Sequence, residues 1–203
     1  MTAPWRDTPE RYGRVTRLLH WGMALILLWQ FTGMILRLIL GRTPLMAFWV
    51  GTHQSVGTVL LALILLRLAW AWVNRGMRPA QPRTAAGRAA RLGHAALYAL
   101  LAIVPALSLL RAFGNGRGYA FFGHQVVPRS GVRIEWMSAP ADLLHAKLAW
   151  LLLALILGHV AMALLHHFAW RDGVLKRMAG RVPPGAGPSP GPRAKAAGAV
   201  RGG

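Results

Sequence analysis

The sequence predicts an all-α fold, an integral membrane four-helix bundle with both termini cytoplasmic, and three observations point to it. Apolar residues make up 55% of the 203-residue chain and are gathered into four long blocks, each long enough to cross a bilayer, which takes about 20 residues of helix. The charges lie almost entirely between the blocks, as in a polytopic membrane protein. Lys and Arg number 24 against 5 Asp and Glu, and they are unevenly placed. The N-terminus, the 74–91 loop and the C-terminal tail hold sixteen; the 41–48 and 114–141 loops with their helix ends hold seven; Arg67 lies inside a block. By the positive-inside rule, the side holding sixteen is cytoplasmic. The net charge of +19 is then mostly topology. No folded soluble domain is left to present a basic surface, so nucleic acid is not an expected partner.

Residues 1–15 read as a polar, basic cytoplasmic lead to a helical domain over 16–178. The first span, about 18–40, follows Arg14 and Arg17, but it exceeds the roughly 7–15-residue apolar core of a secretion signal and is expected to be retained. Gly41-Arg42-Thr43-Pro44 is a turn sequence, and the second span follows at about 49–73. The third, about 92–113, contains Pro105, which should kink it. Residues 114–141 mix apolar and charged side chains and are expected to lay a short interfacial piece over the bundle. The fourth span covers about 142–170, and the basic Pro/Gly/Ala-rich tail, 179–203, has the composition of a disordered segment.

Span four carries the densest chemistry. His145 and His159 are fourteen positions apart, which on a helix leaves them within about 40° of one face and about 21 Å apart along the axis. Histidine at membrane depth needs a partner and marks a functional site by default. The predicted topology places His20 near the inner surface with His159, and His53 near the outer surface with His145. Two imidazoles facing each other across a bundle can hold the iron of a flat macrocycle, and two such pairs make two stacked haem sites. With both axial positions filled by imidazole, electron transfer is favoured over chemistry at the metal. The chain has no cysteine, which leaves nitrogen and thioether ligands and excludes thioether-linked haem. The plain alternative is four separate interfacial histidines bonded to backbone. His94 also opens a span on the inner side and competes with His20 as the partner of His159, whereas His124 falls in an outer loop and is expected to be solvated.

Three further features add to this reading. Arg67 is fourteen positions after His53, so it shares that face at the depth of the inner pair. A buried guanidinium needs a counter-ion, and a haem propionate suits it; otherwise Arg67 snorkels to the surface. His166 is seven positions beyond His159 and returns to nearly the same face, where an imidazole can bond a quinone carbonyl and relay protons. Its neighbour His167 points about 100° away, and the pair could equally be interfacial residues beside Trp170. On the outer side, Arg37, Arg42, Arg117, Arg129, Arg133 and Lys147 outnumber Glu135 and Asp142. Such a cationic surface would steer a small anion or an acidic protein.

The segments RYGRVTRLLHWGMALILLWQFTG, THQSVGTVLLALILLRL, RLGHAALYALLAIVPALSLL and LLHAKLAWLLLALILGHVAMALLHHFAW resemble the bacterial cytochrome b561 family of four-helix dihaem membrane cytochromes, over about 12–178. The resemblance implies two haem b groups ligated by His20, His53, His145 and His159, and it supports His166 as a quinone contact. Relatives include a superoxide oxidase that passes electrons from periplasmic superoxide to ubiquinone. More distant ones are cytochrome b subunits that anchor nickel–iron hydrogenases and formate dehydrogenases and take their electrons to quinone. The expectation is therefore an inner-membrane electron carrier from a periplasmic-side donor, with superoxide leading because the chain is short, self-contained and cationic on its outer face. The anchoring cytochrome b subunit is the alternative, and a haem-free, histidine-lined metal transporter is a third reading.

Overall fold

Four apolar runs become four long helices in the computed structural model, which describes residues 4–79, 84–171 and 173–180. In chain order these are α1 (Arg14–Leu40), α2 (Pro44–Val73), α3 (Ala85–Gly114) and α4 (Glu135–Leu165). A short antiparallel hairpin, β1 (Tyr119–Phe121) and β2 (His124–Val127), lies between α3 and α4. The chain leaves α4 through a π turn, His166–Trp170, and ends its described part with the five-residue α5 (Val174–Met178). All four long helices are apolar enough to span a membrane. Only 6% of the most apolar stretch of α4 is buried inside the protein, and Leu143, Leu151, Leu157 and Leu164 are exposed, where lipid rather than water is the compatible solvent.

Caps explain where the helices start. Thr43 accepts a hydrogen bond from the Met46 amide, with Pro44 at the first helical position. Thr84 does the same for Gly87. That cap starts α3 seven residues before the predicted span, and α4 likewise begins at Glu135 rather than 142. The extra residues, 85–91 and 135–141, are mostly small or charged, so hydropathy alone assigns them to loops. α3 runs through Pro105 without a break. The interfacial piece expected over 114–141 is the hairpin, tied to α2 by Tyr119 Oη against Thr58 Oγ1 at 2.8 Å and by Phe122 N–H donating to Ser55 Oγ at 3.0 Å.

The core sits between the first three helices, with Met23, Leu60 and Ile64 buried and Ile26, Leu61, Tyr98 and Leu101 packed around them. α1 closes on α2 where Gly33 lets the Trp49 indole lie against its backbone; a Cβ there would collide with the ring. Trp49 Nε1 donates to Trp29 O at 3.1 Å, and the two indoles stack. α4 packs on α3 and makes no comparable backbone contact with α1 or α2. A cleft therefore separates α4 from the two helices whose histidines face it.

The N-terminal lead is folded rather than simply polar. Asp7, 2% exposed, accepts the Gly13 amide at 2.8 Å and pairs with Arg78 Nε at 3.2 Å, which fastens the start of α1 to the end of α2. Arg11 donates to Gly180 O and the Trp21 indole to Met178 O. The two ends of the described chain thus meet on one side of the bundle. The tail expected to be disordered falls, from residue 181 on, outside the described residues.

Candidate functional site

Three helices bring the histidines of the predicted set together in twos. His20 of α1 and His159 of α4 have ring centres 6.2 Å apart, with planes at 75°. His53 of α2 and His145 of α4 are 6.3 Å apart at 81°. All four are half-buried. Both pairs bridge the cleft beside α4, one toward each end of the bundle.

The outer pair is enclosed. A carbonyl oxygen only accepts, so the 3.0 Å contact between His145 Nδ1 and Val104 O is Nδ1–H donation, which leaves the lone pair of a neutral ring on Nε2. Ser55 and Thr58, on the turns of α2 just after His53, hold the hairpin above. Arg37 and Arg111 lie within electrostatic reach of the two rings. Farther out, Arg133 bonds both Glu135 and Asp142 at 2.7 Å, and Arg111 takes the other oxygen of Asp142 at 2.7 Å. The carboxylates hold Arg133 protonated even more firmly than an ordinary guanidinium. Arg133 therefore drops out of the predicted cationic surface, while Arg37, Arg42, Arg117, Arg129 and Lys147 make no ion pair among the described residues.

The inner pair is crowded. His94 of α3 lies 5.3 Å from His159, closer than either facing pair, but it is exposed and its Nδ1 donates to Ala90 O at 2.7 Å. Trp21 stands edge-on to His20 at 5.2 Å. Arg67 is half-buried, within electrostatic reach of His20 and His159. Its Nε donates to Tyr98 Oη at 3.0 Å, and no carboxylate pairs with it among the described residues. His166 opens the π turn with its ring 4.4 Å from Trp170, so uniform helical winding does not extend from His159 through the His166–His167 pair. His124 is exposed on β2, as expected.

These residues fit haem. Metal–imidazole bonds of about 2.0–2.1 Å on opposite sides of one ion, with ring centres about 1.1 Å behind each nitrogen, place the centres roughly 6.3 Å apart. The two facing pairs match this and the His94–His159 pair falls short of it. No described group of three or more His, Cys, Asp or Glu converges on a metal position. Isolated pairs suit an iron whose remaining four ligands come from a macrocycle. The cleft beside α4 is where the plane of such a group belongs. Sequence reasoning missed Asp7, Gln30 and the hairpin contacts, whose partners are distant in sequence.

A family model described as prokaryotic cytochrome b561 matches residues 11–181. The chain is also similar to cytochrome b561 homolog 2 of Escherichia coli (strain K12), with 32% identity over 180 residues that cover 86% of this chain and 94% of the relative. With four long apolar helices and histidines facing in pairs between them, the chain belongs to the prokaryotic cytochrome b561 family of membrane cytochromes, whose role is haem-based electron transfer.

Proposed function

We propose that this chain is a dihaem cytochrome b of the bacterial inner membrane, with both termini cytoplasmic, that moves electrons from superoxide on the periplasmic side to ubiquinone near the cytoplasmic side. The carrying observation is the pair of 6.2 and 6.3 Å imidazole separations, each the right gap for one six-coordinate iron. In this reading His20 and His159 hold the inner haem b, and His53 and His145 hold the outer one. Each bound haem supplies a reversible one-electron couple with no open coordination position.

The side chains of the protein do the rest. Arg37, Arg42, Arg117, Arg129 and Lys147 draw a small anion to the outer face. The hairpin, pinned at Thr58 and Ser55, limits water above the outer pair. Arg67, oriented by Tyr98, is the counter-ion of an inner propionate. His166 bonds the quinone carbonyl and delivers protons from the cytoplasm. The balance is simple: two superoxide ions give two dioxygen molecules and two electrons, and ubiquinone takes both electrons with two protons to become the quinol.

Stopped-flow mixing of purified protein with superoxide, with and without ubiquinone, tests this. Rapid haem reduction, followed by reoxidation only when quinone is present, is expected. Inertness toward superoxide together with stable co-purification of an iron–sulfur partner would instead assign the chain as the membrane anchor of a hydrogenase or dehydrogenase.

A further inference from the structure

The two outer histidines are held differently. His145 has its Nδ1–H fixed by Val104 O, whereas Nδ1 of His53 is buried with no hydrogen-bond partner among the described residues. Beside it lies Gln30 of α1, 7% exposed, whose Nε2 donates to the His53 carbonyl oxygen at 2.9 Å. That contact orients the amide, since the backbone oxygen can only accept and must face the NH2 end. The other end, Gln30 Oε1, is likewise buried and has no donor among the described residues. Gly57, one turn beyond His53, lies against the same amide: a Cβ there would stand 3.4 Å from Gln30 Nε2, in ordinary contact. One hydrogen bond thus brings a buried acceptor lacking a donor to the residue whose buried ring nitrogen lacks a partner. Buried polar groups are rarely left unmatched.

We infer that Gln30 is the positioning residue of His53, its Oε1 accepting the His53 Nδ1–H directly or across one water. This fixes the tautomer in which Nε2 faces His145. The inference rests on the reading of His53 as an outer haem ligand. It is the counterpart on α2 of what Val104 O does for His145 on α4, with a side chain from α1 in place of a backbone carbonyl from α3. An acceptor on the far nitrogen makes an imidazole a more basic ligand, which favours the ferric state. Gln30 therefore holds the potential of the outer haem down and its affinity up.

Two substitutions in the full-length, haem-loaded protein test this. Gln30→Leu keeps the volume and removes both ends of the amide; Gln30→Glu keeps an acceptor. The readouts are potentiometric titration of the two haems, the low-spin EPR signal of the outer one, and haem content per polypeptide. Gln30→Leu should raise the outer potential, move its EPR signal, leave the inner haem unchanged, and weaken outer haem retention by about 10-fold or more, the usual range for losing a ligand's hydrogen-bonding partner. Gln30→Glu should keep the outer potential at or below its original value. A purely structural Gln30 would shift both variants the same way, and that result, or an unmoved potential in Gln30→Leu, overturns the inference. His53→Ala separates the two levels of argument. If it keeps both haems, the ligand reading itself fails; if it loses one while Gln30→Leu changes nothing, only the role of Gln30 fails.

Discussion

The outer and inner histidine pairs share nearly one ring separation, 6.3 and 6.2 Å, yet their surroundings differ. Around the outer pair the contacts are fixed and directional: Val104 O on one ring, Gln30 at the backbone of the other residue, and a hairpin fastened by Tyr119 and Phe122. Around the inner pair lie His94 and Arg67 with Tyr98, and His166 opens the π turn beyond the last α-helical turn. A site that only receives electrons gains from rigidity, because a fixed ligand field needs little rearrangement on reduction. Under the proposed function, a site where electrons leave to a quinone must also supply protons, which calls for ionisable neighbours.

The strongest way to break this comparison is to remove a ligand from one pair. His145→Ala is expected to drop haem content from two per polypeptide to one and abolish reduction by superoxide, as read by pyridine haemochrome assay and stopped-flow absorbance. Retention of both haems would falsify the pairing. His94→Ala, by contrast, should keep two haems, because the 5.3 Å gap to His159 is too short to hold an iron.

Smaller effects sharpen the contrast. His166→Ala should keep both haems but slow quinone reduction by about 10²-fold, the low end of what a positioned acid–base group contributes; steady-state quinol formation measures it. Neutralising Arg42, Arg117 and Arg129 together with Gln should cut the superoxide rate by about 10-fold and flatten its dependence on ionic strength, the signature of electrostatic steering. Quinone reoxidation should stay unaltered. Smallest is Tyr119→Phe, which removes the bond to Thr58 and should cost roughly 0.5–1.5 kcal/mol, visible as a modest fall in melting temperature in detergent.

What could be read from the chain alone follows from which interactions are local. The four helices were legible because each apolar run exceeds the bilayer thickness, and depth plus helical rise faced His53 with His145, whereas the choice of His20 over His94 as the partner of His159 came from the family resemblance. The starts of α3 and α4 were not, because the first turns after Thr84 and Ile134 are mostly small or charged and hydropathy discards them. The Asp7–Arg78 pair joins residues 71 apart, and the Gln30 contact to His53 joins residues 23 apart. No periodicity announces either. The hairpin strands, three and four residues long, show no clean alternation of buried and exposed positions. The angular argument for His166 starts from α-helical winding, which gives way at the π turn.

That turn has a further consequence. A π turn is an α-helix with one surplus residue wound into it, so the 166–170 stretch takes up five residues in about the rotation that four α-helical residues make. Beyond it, the Met178 and Gly180 carbonyls are held by Trp21 and Arg11. The surplus residue is therefore absorbed with little change in the direction of the chain, while the face on which each later position falls moves on by about 100°.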